Sequence, residues 1–270
     1  MSFFEGLRFR RMSSPIHRLD PRIKFFYVCV IFVIAVMFGG TLEKPGLLPL
    51  IVLFFIQMPF VLIAGVQREW IRSMRGALFL TFFIFTFNFA FTYFPTEYPQ
   101  LPSINLIEYS FAMALRFIVL VESFSIFFLT TSPDHLGLAL EQSHVPYEFC
   151  FAFTTAVRFV PVLADEAQTI MDAQKARGLE LERGNFIKRI KNYIPLLIPL
   201  IVNAIRRSLE LAEAMESRAW GATEKRTNLY VLTLKNSDYI LVILSVLMLI
   251  LAVYVRLFLP VPPLTVLLHI

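Results

Sequence analysis

The sequence contains few of the residues from which catalytic and metal-binding sites are built. Its 270 residues include 2 cysteines and 4 histidines, and only 17% of them are charged. Cys29 and Cys150 lie far apart in apolar runs, so they indicate neither a disulfide framework nor a cysteine-based metal site. The histidines are scattered without metal-ligand spacing. We therefore expect neither a bound metal nor a catalytic constellation.

Two further absences concern nucleotides and nucleic acids. No stretch matches the glycine-rich phosphate loop G-x-x-x-x-G-K-[ST], which predicts that this chain does not itself bind ATP. The net charge is +5, but the basic residues flank hydrophobic runs instead of forming one continuous patch. That distribution is typical of membrane topology signals, so we expect no nucleic-acid partner.

Apolar residues are abundant: 57% of the chain is hydrophobic, with 29 phenylalanines, and the mean hydropathy is +0.67. A soluble domain of this size cannot bury so much apolar surface. We therefore predict an all-α integral membrane protein in a lipid bilayer, with spans of about 20 helical residues each. Five runs are long enough, or nearly so: 24–40, 47–66, 76–94, 107–130 and 239–259.

The basic residues also predict how the chain is oriented in the cell membrane. The N-terminal segment and the connection 67–76 are rich in arginine, so both are expected on the cytoplasmic side. The connections 41–46 and 95–105 are nearly neutral or lack basic residues and are expected outside. No cleavage site follows the first apolar run, so we expect that span to be retained. The predicted division is an N-terminal membrane domain (1–130), a cytoplasmic domain (131–238) and a C-terminal span (239–270), which leaves the C-terminus outside.

Two long helices are predicted inside the cytoplasmic domain, near 145–177 and 193–219. Each has an apolar N-terminal half and an amphipathic C-terminal half, so one end of each is expected in or near the membrane and the other in water. Pro195 and Pro199 fit the early turns of the second helix, and Pro161 is expected to kink the first.

Both predicted helices end in an arginine between small residues. These ends, the two tips, are Ala176, Arg177 and Gly178 in the first helix, and Ser217, Arg218 and Ala219, with Gly221 shortly after, in the second. Arginine is a permanent cation with a fork of donors, and small neighbours let another chain approach the backbone closely. An ordinary helix C-cap beside a dipole-complementing arginine explains a single copy. The presence of two copies favours a paired docking surface.

Several stretches carry a resemblance to a known family. The N-terminal "HRLDPRIKF" (17–25), the segments 156–178 and 189–221, and the arrangement of spans resemble the transmembrane coupling component, or T component, of energy-coupling factor (ECF) transporters, the EcfT/CbiQ-like family. The resemblance covers nearly the whole chain and is most specific over 156–221. It implies a non-catalytic subunit of an ABC-type importer for vitamins or other micronutrients; a permease dedicated to cobalt, nickel or biotin is the alternative.

The resemblance also implies partners and residue roles. In the family two long coupling helices cross, each tip docks into a groove of one ATPase subunit of a pair, and the apolar helix faces hold a substrate-binding membrane protein, the S component. ATP and Mg²⁺ are then bound by the ATPase subunits and no cofactor by this chain. The first tip matches the family's docking motif fully. The second has Ala219 where the family usually has glycine, and Gly221 is the alternative source of the chain reversal.

Three charged residues within apolar helices are further candidates. Arg116 and Glu122 lie in the fourth span, six residues apart, which is a poor fit to one helical face. Arg158 lies in the first cytoplasmic helix. We interpret all three as structural or coupling contacts instead of a transport path, because in the family another subunit carries the substrate.

Two functions of other classes remain as alternatives. An integral-membrane enzyme would use Arg116 and Glu122 with the carboxylates Asp165, Glu166 and Asp172, but such an enzyme needs polar residues that converge at one membrane depth. A membrane scaffold would only anchor a soluble partner, and co-purification distinguishes it from a coupling subunit.

Overall fold

The computed structural model of the protein describes residues 14–39, 46–93, 103–179, 185–222 and 231–258, and the regular structure within them is helical throughout. This confirms the predicted all-α fold class. A 3-10 helix (Ile16–Arg18) precedes the α-helices, which in chain order are α1 (Pro21–Met37), α2 (Leu47–Ala64), α3 (Gln67–Tyr93), α4 (Ser103–Thr130), α5 (Pro133–Gln142), α6 (Tyr147–Ala176), α7 (Phe186–Glu216) and α8 (Asn236–Phe258).

The chain divides into two compact units. The first comprises Met1–Ala139 with Leu232–Ile270, and the second comprises Leu140–Val231. In the first unit α1 packs against α4 and α8, while α4 also packs against α2 and α3. The apolar core of this unit includes Tyr27, Ile31, Ile34, Leu50 and Val119. The second unit contains α6 and α7, which pack against each other.

Asp20 begins α1 and ties it to α8. It precedes Pro21 at the first helical position, and its side chain accepts a hydrogen bond from the backbone N–H of Arg22 at 2.9 Å. The Arg22 guanidinium donates to the same carboxylate at 3.1 and 2.8 Å. The backbone N–H of Asp20 donates to Asp238 Oδ1 at 2.9 Å, and Asp238 Oδ2 accepts from the N–H of Lys235 at 2.7 Å. One aspartate therefore caps α1 while a second fastens this cap to the start of α8.

Lys24 ties the same region to α4. Its Nζ donates to the carbonyl oxygen of Thr130 at 2.9 Å and to that of His17 at 3.4 Å. Asp20, Lys24 and Asp238 are only 4%, 6% and 1% exposed. Charges this deeply buried are tolerated because each has hydrogen-bond partners. The stretch "HRLDPRIKF" thus supplies two residues of a polar clamp, which we define as Asp20, Lys24 and, from α8, Asp238.

Among the described residues, five helices are long and apolar enough to cross a membrane. They are Leu47–Ala64, Gln67–Phe91, Ile107–Thr130, Tyr147–Ala176 and Asn236–Phe258. Four of them overlap predicted spans, and the fifth is the first predicted cytoplasmic helix. The remaining predicted span, 24–40, falls on α1, whose 17 residues lie at the short end of the range for a membrane crossing.

Three helical segments extend beyond what the hydrophobic pattern predicts. α3 begins at Gln67 and includes the basic stretch 67–76, for which the sequence pattern predicts a connection. α7 begins at Phe186 instead of near 193, so that Pro195 and Pro199 lie inside it and not in its first turn. α5 forms where no helix was predicted. Arginine, lysine, glutamine and glutamate favour helices without adding hydropathy, so an apolar run marks only part of a helix.

The clamp makes stability depend on Asp20 and on pH. Burial by itself would raise the pKa of Asp20, but the hydrogen bonds from Arg22 and the charges of Arg22 and Lys24 together hold the pKa below its ordinary value of 3.8. Its stabilising contribution is therefore complete above pH 3.8 and is lost as the pH falls through the lower folded-state pKa.

We expect Asp20→Ala to lower the free energy of unfolding by about 1–2 kcal/mol at neutral pH, because the cap of α1 is lost. Thermal unfolding of the full chain in lipid nanodiscs checks this. Asp165→Ala, at an exposed position of α6, is the control and should change stability by less than about 0.5 kcal/mol. The gap between wild type and Asp20→Ala should narrow in acid; a gap that is constant with pH contradicts the role given to the carboxylate.

Candidate functional site

The two helices of the second unit run antiparallel. Four contacts show this, because the residue number rises along α6 while it falls along the partner segment. Phe151 contacts Trp220, Phe159 contacts Arg207, Glu166 contacts Asn203 and Gln174 contacts Pro195. The C-terminal end of each helix therefore lies beside the N-terminal part of the other. As a result, the tips defined above lie at opposite ends of the pair.

Polar contacts from Glu166 hold the middle of this helix pair. Asn203 Nδ2 donates to Glu166 Oε1 at 2.6 Å, and Arg207 Nη2 lies 3.3 Å from Glu166 Oε2. The same Arg207 guanidinium lies 5.9 Å from the centre of the Phe159 ring. One acidic residue of α6 thus binds two polar residues of α7, which fixes the register of the two helices.

A proline creates the contact nearest the first tip. Pro199 has no N–H, so the carbonyl oxygen of Pro195, four residues earlier, has no donor within α7. Gln174 Nε2 of α6 donates to this oxygen at 3.3 Å. The two prolines therefore do not end the helix; one of them exposes an acceptor that the neighbouring helix uses.

The first tip ends α6 with a Schellman motif. Gly178 has φ = +88°, in the left-handed region that glycine adopts without strain. Its N–H donates to the carbonyl oxygen of Lys175 at 2.9 Å, and the N–H of Leu179 donates to that of Gln174 at 3.0 Å. These two bonds define the motif and satisfy carbonyls that the end of a helix leaves free. Arg177 is held immediately before the reversal.

The second tip has the same backbone geometry although its sequence differs. Ala219 has φ = +57°, and its N–H donates to the carbonyl oxygen of Glu216 at 2.9 Å. The N–H of Trp220 donates to the carbonyl oxygen of Met215 at 3.0 Å. Alanine therefore takes the left-handed position that Gly178 takes in the first tip, at a cost of about 1–2 kcal/mol for an L-residue. Gly221, with φ = +83°, adds a second reversal instead of replacing the first.

An aromatic contact distinguishes the second tip from the first. The Trp220 ring lies 4.3 Å from that of Phe151 and 5.3 Å from that of Tyr147, centre to centre, so the tip packs against the start of α6. Aromatic pairs in contact stabilise by about 0.5–1.5 kcal/mol beyond the area that they bury. Sequence reasoning named Trp220 but missed its role. The available signal was the large apolar residue that follows the left-handed position in both tips, Leu179 and Trp220, as Schellman motifs favour.

Both tips are accessible to a partner. Arg177 and Arg218 are exposed, as are the small residues beside them. A Cβ added to Gly178 or Gly221 would meet no heavy atom within 4 Å. An exposed guanidinium on a fixed turn with open space around it suits a carboxylate or a row of backbone carbonyls.

The other predicted residues do not gather into one site. Arg116 packs beside the end of α1, where a Cβ on Gly39 would lie 2.6 Å from its Nη1. Glu122 is 0% exposed, and neither of its oxygens has a hydrogen-bond partner among the described residues. Arg158 is exposed on α6. In the described part of the chain no group of three His, Cys, Asp or Glu residues could hold a metal ion.

The carboxylates that an enzyme would require do not converge on one site either. Glu166 binds α7, and Asp172 accepts from Gln168 Nε2 of its own helix at 3.1 and 3.2 Å. Asp165 is exposed one residue before Glu166. Glu166 and Asp172 therefore serve different local contacts, and the three carboxylates do not form one site.

Comparison with known proteins identifies relatives over most of the chain. The model of the family described as "CbiQ: Cobalt transport protein" matches residues 12–229. Three curated relatives are named "Energy-coupling factor transporter transmembrane protein EcfT". That of Clostridium kluyveri is 33% identical over 84% of this chain and 87% of its own length. That of Lactococcus lactis is 31% identical over 89% and 93%, and that of Staphylococcus aureus is 33% identical over 82% and 85%.

We expect Ala219→Gly to stabilise the second unit by roughly 0.5–1 kcal/mol, because it relieves the left-handed strain at the cost of some unfolded-chain entropy. Gly178→Ala, the reverse exchange at the equivalent position, should destabilise by a similar amount. Thermal unfolding together with hydrogen exchange of residues 215–220 and 174–179 measures both. Equal destabilisation by the two variants contradicts the equivalence of the tips.

Proposed function

Because this chain belongs to the family of CbiQ and EcfT transmembrane transport proteins, we propose that it is the non-catalytic coupling subunit, the T component, of an ATP-driven ECF importer. In this role α6 and α7 link ATP hydrolysis by a pair of ATPase subunits to the movement of an S component that carries a vitamin or other micronutrient. The observation that supports this most directly is the pair of geometrically equivalent, exposed arginine tips.

The antiparallel arrangement of α6 and α7 suits a pair of ATPase subunits. Two antiparallel helices are related by an approximate two-fold axis perpendicular to them, so their C-terminal ends are equivalent positions. About 26 residues of helix separate Arg177 from Arg218 along the pair, which corresponds to roughly 40 Å at 1.5 Å per residue. A two-fold pair of ATPases presents two equivalent grooves to such tips. Each arginine then contacts one subunit.

The rest of the helix pair is suited to transmit force. The contacts of Glu166 and Gln174 cross-link the two helices, so a displacement of either tip moves the pair as one element. A row of apolar side chains on α7 is exposed within this chain. The row includes Ile194, Ile198, Ile201, Ile205 and Leu209, which are 47%, 58%, 55%, 56% and 60% exposed. We assign this row to contact with the S component or with lipid.

In this role the partner ATPases bind ATP and Mg²⁺, and this chain binds neither. It requires both tips on the cytoplasmic side, where the nucleotide is, and therefore places the N-terminus and the α6–α7 pair there, in agreement with the positive charge of those segments. The two-fold relation of the tips then requires the helix pair to lie along the membrane surface instead of across it. For the cargo we propose a vitamin or related micronutrient delivered by separate S components, with a dedicated metal or biotin permease as the alternative.

The arginine tips give the sharpest test. The double variant Arg177→Ala with Arg218→Ala should lose the stable association with the ATPase subunits and at least ten-fold of ATP-dependent uptake, while binding of substrate by the S component stays unchanged. Each single variant should retain partial association, because one tip remains. Pull-down from membranes and uptake into proteoliposomes provide the measurements.

Arg206→Ala serves as the matched control, because Arg206 is an exposed arginine of α7 away from both tips. Its assembly and uptake should equal those of the wild type. Wild-type uptake by the double variant would contradict the docking role. An equal loss of uptake in Arg206→Ala would show that the effect comes from the reduced net charge and not from the tips.

The composition of the complex separates a coupling subunit from a scaffold. Purification of the tagged chain in mild detergent should recover two ATPase chains and one small, very hydrophobic membrane protein. Recovery of a soluble partner without ATPases would favour the scaffold. Several different small membrane proteins, recovered in separate complexes, would favour a shared module over a dedicated one.

A further inference from the structure

Glu122 is a carboxyl group that the proposed coupling function does not use. It lies on α4 within the segment Ile107–Thr130, which is long and apolar enough to cross a membrane. Its side chain is 0% exposed, and Oε1 and Oε2 both lack a hydrogen-bond partner among the described residues. An ionised carboxylate buried in this way, with neither a cation nor a donor, costs several kcal/mol. The site must therefore contain something that neutralises the carboxylate.

The side chains around Glu122 show which kind of ligand fits. Gln57 of α2 is 0% exposed and donates from Nε2 to the carbonyl oxygen of Val119, one turn before Glu122, at 3.4 Å. Its Oε1 has no donor, and the hydroxyl groups of Ser123 and Tyr27 have no partner. Tyr27 of α1 packs its ring 5.1 Å from that of Phe60, one turn after Gln57 on α2. The Tyr27 hydroxyl also lies within electrostatic range of Glu122. Three helices thus bring unsatisfied polar atoms to one buried place.

The needs of these atoms favour a proton over a metal cation. A carboxylic acid offers one O–H donor and a carbonyl acceptor. Gln57 Oε1 requires a donor, whereas the Tyr27 and Ser123 hydroxyls require an acceptor. A metal cation would find few of its usual ligands here, because no group of three His, Cys, Asp or Glu residues lies together in the described part of the chain. We propose that Glu122 is a proton-binding site of the first unit: it holds a proton as a neutral carboxylic acid between α1, α2 and α4, and loss of that proton loosens the packing of these helices.

A small cavity beside Tyr27 is also lined by Lys24 of the polar clamp. The cavity has a volume of about 20 Å³ and is lined by, among others, Tyr27, Phe60, Lys24 and Thr130. A space of this size holds about one water molecule. Tyr27 and the buried Lys24, one turn apart on α1, thus line the same cavity, and Glu122 does not line it.

The charged groups on the helices that pack against α4 lie away from Glu122. α2 has no charged residue, and α1 has only Arg22 and Lys24, at its start. The charges of α3 are also confined to its beginning: Arg68, Glu69, Arg72 and Arg75. On α4 itself Arg116 contacts the end of α1 near Gly39, and Glu108 makes its own contact elsewhere on the helix. Tyr27 is therefore the titratable group that faces Glu122.

Infrared spectroscopy of the full chain in lipid nanodiscs at neutral pH tests the proposal without any transport partner. The wild type should show the C=O stretch of a protonated carboxylic acid, which shifts in D₂O. Glu122→Gln should lose that band and keep wild-type thermal stability, because glutamine has the shape of the neutral acid. Glu108→Gln, a second buried carboxyl of α4, is the matched control and should retain the band.

Two further measurements decide the remaining outcomes. Tyr27→Phe should keep the carboxylic acid band but move it to a different frequency. If Glu122→Gln does not fold, this variant tests the proton site in its place. A band at the wild-type frequency overturns the proposal. Replacing choline by Na⁺ as the cation of the buffer should leave the infrared spectrum and the melting temperature of the wild type unchanged. A wild-type spectrum at neutral pH that shows an ionised carboxylate and no acid band overturns the proton site. A rise in melting temperature with Na⁺ that Glu122→Gln abolishes also overturns it, in favour of a cation site.

Discussion

The antiparallel pairing of α6 and α7 is the constraint on which the functional geometry depends. If the two helices ran parallel, both arginine tips would lie side by side at one end of the pair. Because they run in opposite directions, the same small-Arg-small turn is presented at two distant and equivalent positions. The polar contacts of Glu166 with Asn203 and Arg207 set this register at the centre of the pair. A change of register by one turn would displace both tips in opposite directions.

The two tips are equivalent in backbone but not in how they are supported. The first relies on glycine at the left-handed position, and the second forces alanine into that conformation. Strain of this kind persists only where surrounding contacts determine the backbone. Packing of Trp220 against Phe151 and Tyr147 supplies such contacts at the second tip. The second turn is thus held by its neighbour helix, whereas the first is held by its own conformational preference. In the proposed complex, two different supports for one geometry would suit two ATPase subunits that are not identical.

Sequence patterns predicted the parts of the structure that depend on local chemistry. Hydropathy located α2, α4 and α8, and the arginine-and-small-residue pattern located both tips. The pattern did not predict that α7 begins at Phe186, because its first turns are basic, nor that Ala219 adopts the conformation of glycine. The antiparallel register was also out of reach. It depends on pairs such as Gln174 with Pro195, which are distant in sequence and have no local signature.

Polar residues in the first unit fall into two physical classes. Asp20, Lys24 and Asp238 are buried with partners, and their hydrogen bonds join the starts of α1 and α8 to the end of α4. Glu122, Gln57 and Tyr27 are equally buried but leave polar atoms unpaired. Unpaired polar atoms weaken a membrane-embedded core, where water cannot replace a missing partner. The paired class therefore explains how this unit holds together. The unpaired class marks the place where, under the proposal above, the packing of α1, α2 and α4 depends on the proton of Glu122.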